Sequence, residues 1–114
     1  MAEINDEDYI EGLTSEQRDE LVAAGAITVS HHNGVPYVFR CPDEKEWFNC
    51  FNEMENPKKS TAMAQKALVI RCALHPSRES VVELVEKRPP IVQRFFGDVI
   101  SASGLDDSVS AKKL

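Results

Sequence analysis

The chain has 114 residues, of which 42% are hydrophobic and 28% are charged, and its formal net charge is −6. This length and composition are typical of one globular domain with its own core. The acidic balance argues against nucleic acid as a partner, because phosphate contacts need a basic face.

The negative charge is concentrated at the start of the chain. Residues 1–26 contain eight acids and one base, whereas residues 27–114 contain eleven acids and twelve bases. We expect residues 1–12 to form an acidic, frayed arm. Such an arm is either a solubilising segment, which is the more common use of a charged terminus, or a docking arm for a basic partner.

The cysteines favour a reducing compartment. Cys41, Cys50 and Cys72 form an odd set without paired spacing, and no signal-peptide pattern opens the chain. No apolar run approaches the ~20 residues that a membrane-spanning helix needs. We therefore expect a cytoplasmic protein with reduced thiols and no membrane partner.

A short helix and a β-hairpin are predicted after the arm. Thr14 to Gln17 has the pattern of a capping box that starts the helix, and Gly25 stands where the helix would end. Two β-rich runs then flank Asn33-Gly34, a dipeptide typical of hairpin turns. Since Pro36 cannot donate a hydrogen bond to a neighbouring strand, we expect the second strand to lie at an edge or to begin after Pro36.

Four helices are predicted after the hairpin. The first begins at a capping box, Asp43 to Glu46, and ends before Pro57. Its apolar face has helical spacing and is formed by Trp47, Cys50, Phe51 and Met54. We expect the core to be anchored by the two aromatic clusters of the chain, Trp47, Phe48 and Phe51 in this helix and Phe95 and Phe96 in the last one.

The second helix, predicted over about residues 62–74, is apolar on nearly all sides and should be covered by several neighbours. Arg71 is the exception, and a charge in such a place is costly unless it is paired. Pairing with Glu83 or Asp98 is the favoured interpretation, and contact with a partner protein is the alternative.

The last two helices differ in their apolar coverage. The helix from Ser77 to Arg88 carries one stripe, which is typical of a surface helix. The helix from Pro90 to Gly104 is apolar over close to half its circumference, which indicates either core in a small bundle or a partner surface. The candidate partner-binding residues are Phe95, Phe96, Val92, Val99 and Arg71.

The chain carries no pattern that points to catalysis or to a metal. Its three histidines and three cysteines lack the spacing of zinc sites. Motifs for a nucleophile, a phosphate-binding loop or a dinucleotide are also missing from the sequence. We expect a protein that is not an enzyme and that uses no cofactor and no metal.

Several segments together carry a family resemblance. They are Tyr37-Val38-Phe39-Arg40-Cys41-Pro42, the run from Ala67 to Ser77 around Arg71-Cys72 and His75-Pro76, the run Leu84 to Pro89, and Phe96-Gly97-Asp98 leading to Gly104. Residues 35–104 thereby resemble the small tail assembly chaperones of long-tailed bacteriophages and prophages. The resemblance implies a non-enzymatic protein of the bacterial cytoplasm that binds the tape measure protein, keeps it soluble and helps tail tube protein to polymerise.

Many proteins of that family are also made in a longer form by a programmed ribosomal frameshift near the C-terminus, and Lys112-Lys113 is where a slippery site could be encoded in this chain. The predicted fold is α+β and mainly α, with a short N-terminal helix, one β-hairpin and a bundle of about four helices. It forms a single domain over residues 1–104, followed by a disordered tail over residues 105–114.

The predicted function is that of a tail assembly chaperone, with self-association as a competing use of its apolar face. The alternatives are a small DNA-binding or regulatory domain of winged-helix type, since helices and a hairpin can imitate that fold, and an oligomeric interaction module.

Overall fold

The structure is a computed structural model that describes residues 10–105, without the side chain of Leu105. Most of the predicted acidic arm and nearly all of the predicted tail, including Lys112-Lys113, therefore lie outside the described residues. The elements in chain order are α1 (Ser15–Ala23), β1 (Ala26–His32), β2 (Val35–Arg40), α2 (Glu44–Glu55), α3 (Thr61–Cys72), β3 (Ala73–His75), α4 (Arg78–Lys87) and α5 (Ile91–Ile100), which a π-helical segment (Ser101–Leu105) extends. The α+β, mainly α class is confirmed.

Polar side chains start the helices as the sequence predicts. Both capping boxes are present, one between Thr14 and Gln17 at α1 and one between Asp43 and Glu46 at α2. Hydroxyl groups accept from the first-turn amides of α3 and α4, where the caps are Ser60 and Ser77. Each cap satisfies backbone donors that a helix start leaves unpaired.

The sheet has three antiparallel strands in the order β1-β2-β3. The predicted hairpin is confirmed, and Asn33 and Gly34 at its tip both have positive φ, as a type I′ turn requires. The sequence did not predict β3, because the helical pattern was extended to Leu74. Residues Ala73–His75 instead pair with β2, since the residue before Pro76 is disfavoured in helical conformation.

Both expectations for β2 are wrong, because β2 is the central strand and it begins at Val35, before Pro36. Pro36 is tolerated there because β3 is so short. The strand β3 pairs with β2 only around Val38 and Phe39. Pro36 lies further along β2, opposite His31 of β1, where β3 does not reach.

The chain just before α1 packs on the hairpin beside Pro36. Gly12 has a φ of +88°, and a Cβ added to it would lie 2.6 Å from Cδ of Pro36. The carbonyl oxygen of Glu11 lies 3.0 Å from Nε2 of His31. The last residues of the predicted arm are therefore held against the sheet.

The hydrophobic core lies between β2 and the helices α3, α4 and α5. Its centre is a pair of rings, Phe39 and Phe95, whose centroids are 5.0 Å apart and whose side chains are fully buried. Tyr37, which lies on the same strand as Phe39, also contacts Phe95, and the centroids of these two rings are 5.5 Å apart. The other fully buried large side chains are Val38, Val69, Val81, Val85, Val99 and Cys72.

The two aromatic clusters contribute unequally to this core. Trp47 and Met54 pack against it, but Phe48 is 51% exposed and Phe51 is 44% exposed. The expectation that Phe48 and Phe51 are core residues is therefore wrong. The reason is that α2 packs chiefly against α3, so a single neighbour covers one narrow side of α2.

We predict opposite outcomes for two phenylalanines that the sequence alone treats alike. Phe95→Ala should lower the free energy of unfolding by about 3–5 kcal/mol, because it leaves a cavity at the centre of the core. Phe48→Ala should lower it by less than about 1 kcal/mol, because the ring is half exposed. Urea denaturation followed by circular dichroism measures both, and equal losses would contradict the placement of these rings.

Candidate functional site

The structure places most of the predicted partner-binding residues in the core. Phe95, Val92 and Val99 are buried, and Phe96 is partly buried and packed against the same cluster. The broad apolar arc of α5 is thus accounted for by internal packing. Partner binding by these side chains stays a prediction that requires α5 to leave the core.

Arg71 lies at the C-terminal end of α3, where its side chain is exposed. Among residues 10–105 it forms no ion pair with Glu83 or Asp98, so the predicted pairing is wrong. Asp98 instead accepts a hydrogen bond from the hydroxyl of Ser30 in β1. Several elements pack on α3, as expected, but the side that carries Arg71 faces solvent, so the charge needs no internal partner.

The sequence did not predict the role of Arg40, whose guanidinium donates several hydrogen bonds that join separate elements of the fold. This guanidinium donates to both carboxylate oxygens of Glu46, at 2.8 and 2.9 Å. It also donates to the carbonyl oxygen of Arg71, 3.0 Å away, and Arg78 donates to that same oxygen. These groups form a junction, which we call the Arg40 junction, where the end of β2, the start of α2 and the end of α3 meet.

The Arg40 junction shifts the pKa of its carboxylate. The hydrogen bonds from Arg40 lower the pKa of Glu46 from 4.5 to about 2, and the Glu46 side chain is only 15% exposed. The same pairing raises the pKa of Arg40. A bidentate, half-desolvated pair of this kind is stronger than an ordinary surface ion pair.

Because the pKa of Glu46 is lower in the folded chain, its contribution to stability should be complete above about pH 4.5 and lost as the pH falls towards 2. We expect Glu46→Gln to lower the free energy of unfolding by about 1–3 kcal/mol at pH 7. The difference from wild type should shrink to near zero at pH 2. Urea denaturation at several pH values measures it, and Glu83→Gln, an exposed change on α4, is the matched control.

A cleft of about 550 Å³ lies between α2 and α3. Its walls mix charged side chains, such as Lys45, Glu53 and Arg71, with small apolar ones, such as Ala64 and Ala67. The described residues contain no group of three or more His, Cys, Asp or Glu side chains placed to hold a metal ion. The cleft therefore offers no arrangement of groups that points to a particular ligand.

The three cysteines have different surroundings. Cys41 is exposed, whereas Cys50 and Cys72 are buried in the helices, as expected from their apolar faces. Burial raises the pKa of the Cys50 thiol, and it raises the pKa of Cys72 to about 12. Buried thiols of high pKa are poor nucleophiles.

We predict that a thiol reagent such as Ellman's reagent labels one thiol of the native chain quickly at pH 8. That thiol is Cys41, and Cys41→Ser should abolish the fast phase. Cys50 and Cys72 should react only after denaturation. Fast labelling of two or three native thiols would contradict the burial of the helix faces.

The exposed aromatic residues of α2 belong to a regular surface stripe. Glu44, Phe48, Phe51 and Glu55 follow each other at intervals of four, three and four residues, so they share one side of the helix. We call this set the α2 stripe. Trp47 lies beside it, with its ring centroid 6.1 Å from that of Phe51. The spacing of these four residues is present in the sequence, but Phe48 and Phe51 were expected in the core, so the sequence did not predict an exposed stripe.

Comparison with known proteins finds no matching family model, no matching curated protein and no matching solved structure. Within the described part of the chain, every helix is too short or too polar to cross a membrane.

Proposed function

We propose that this chain is a non-enzymatic phage tail assembly chaperone that binds the tape measure protein and keeps it soluble in the bacterial cytoplasm. Two supports carry the proposal. The first is the resemblance of residues 35–104 to that family. The second is the observation that α2 exposes Phe48 and Phe51 on a domain whose core is complete without them.

Exposed aromatic residues are what a chaperone of amphipathic helices needs. Such a protein must offer apolar surface to its client while its own fold stays closed and soluble. Phe48 and Phe51 are more than two fifths exposed, and Met63 at the start of α3 is 59% exposed. Aromatic rings supply large contact area at low cost in side-chain entropy, which suits a binding surface.

The helix α2 serves this role with less rearrangement than α5. Binding through Phe95 would separate it from Phe39 and Tyr37, and so open the centre of the core. Binding through Phe48 and Phe51 requires no change in the fold. Arg71 is also accessible, on the cleft between α2 and α3.

The resembling segments support a shared architecture rather than a shared catalytic site. Arg40 belongs to the first segment, and the carbonyl of Arg71, which accepts its hydrogen bond, belongs to the second. His75, also in the second, pairs with Val38 of the first. The motif residues thus hold the fold together, which is consistent with a role in binding rather than in chemistry.

Co-expression tests the proposal. When the chain is co-expressed with a tape measure protein encoded in the same genome, we expect more of that protein in the soluble fraction and a complex that survives size-exclusion chromatography. The control is co-expression with an unrelated acidic protein of similar size. Absence of a complex at micromolar concentration would contradict the proposal.

A further inference from the structure

The α2 stripe has an acid at each end and two aromatic rings between them. Its ends, Glu44 and Glu55, are eleven residues apart, which corresponds to about 16 Å along a helix. All four side chains are exposed. Lys45 points away from the stripe and lines the cleft on the other side of α2.

The charge at the C-terminal end of the stripe is unfavourable for α2 itself. Glu53 and Glu55 occupy the last turn, which contains no basic residue, although the carbonyl end of a helix carries partial negative charge. Lys58 and Lys59 follow in the turn after α2, but within the described part of the chain no ion pair joins them to Glu53 or Glu55. A cation from another molecule near Glu55 would neutralise both sources of negative potential. At the other end, Glu44 offers a second acceptor for a cation.

These charges disfavour a second copy of the chain as the occupant. If two stripes packed in antiparallel orientation, Glu44 of one copy would face Glu55 of the other. In parallel orientation each acid would face its own counterpart. Both arrangements bring like charges together, which costs free energy and is further opposed by the overall charge of −6.

We propose that the α2 stripe docks an amphipathic helix of a partner protein, on which apolar residues lie between two basic residues about eleven positions apart. The apolar residues cover Phe48 and Phe51, and the basic residues pair with Glu44 and Glu55. The inference rests on the proposed function only for the identity of the protein that carries this helix. What the inference adds to the proposed function is the docking surface on this chain and the charge pattern required of the helix that binds there.

The aromatic and acidic residues have separate roles in this docking. Removal of the two rings from water supplies most of the affinity, as aromatic anchors do at helix-in-groove interfaces. The exposed acids add little affinity each, but they set the register of the bound helix and reject acidic competitors. Binding should therefore weaken as salt screens the acids, while a salt-resistant apolar component persists.

The chain carries its own reporter for this surface. Trp47 is its single tryptophan, and its ring contacts Phe51 within the fold. Docking on the stripe should therefore change the tryptophan emission of the full-length protein.

The probe is a synthetic, alanine-rich helical peptide of roughly 18 residues, or five turns. It has central leucines that face the stripe and two lysines eleven positions apart, and the control peptide has glutamate in place of both lysines.

We expect the lysine peptide to shift the Trp47 emission saturably and to bind at least about tenfold more tightly than the glutamate peptide. The double variant F48A/F51A should lose at least about tenfold in affinity for the lysine peptide, measured by calorimetry. The variant E44K/E55K should reverse the preference between the two peptides. Its two changes have opposite effects on the α2 helix dipole, so the fold should be retained.

A charge-matched control variant separates the effect of the two stripe acids on peptide binding from the effect of the net charge of the protein. The variant E79K/E86K changes the net charge equally on exposed positions of α4, and its affinity for the lysine peptide should match that of wild type. Equal loss in both charge variants, or no effect of F48A/F51A, would overturn the proposal. A wild-type dimer in sedimentation analysis that F48A/F51A dissociates would also overturn it, because the stripe would then bind a second copy.

The co-expression assay distinguishes this proposal from the proposed function. If F48A/F51A still solubilises the tape measure protein, the chaperone function stands and the α2 stripe is not its docking surface. If the lysine peptide binds as expected but wild-type chain forms no complex with the tape measure protein, the stripe stands and its partner is another protein with a basic amphipathic helix.

Discussion

The Arg40 junction is the interaction on which the placement of α2 and α3 against the sheet depends. One guanidinium at the end of β2 holds the first turn of α2 through Glu46 and the last turn of α3 through the carbonyl of Arg71. It therefore fixes both helices to the sheet at the same point. The arginine side chain is only 24% exposed, so loss of Glu46 would leave a poorly hydrated charge without its counterion.

The position of α2 follows from this junction. Its start is tied to the sheet, and one side packs on α3 through Cys50, whose sulfur lies 3.6 Å from the carbonyl oxygen of Ala64. Nothing in the described part of the chain covers its outer side. The same contacts that orient α2 thus leave the side chains of Phe48 and Phe51 accessible to solvent.

Much of the fold could be predicted from local patterns. The caps at Thr14 and Asp43 and the turn at Asn33-Gly34 depend on chemistry within a few residues, and all three are confirmed. The strand β3 could not be predicted, because its three residues become a strand only through long-range pairing with β2. The burial of individual aromatic rings could not be predicted either, because periodicity shows which residues share a face of a helix but not how many neighbours cover that face. For this reason Phe51 was expected inside and Arg71 was expected to be paired.

The connection between β2 and β3 has a consequence for how this protein can diverge. These adjacent strands are joined by α2 and α3, and only α3 contributes broadly to the core. The rings of Phe48 and Phe51 on the outer side of α2 are about half exposed, so substitutions there should cost little stability. The outer face of α2 can therefore accept substitutions more readily than the sheet, α3 and α5, which form the core.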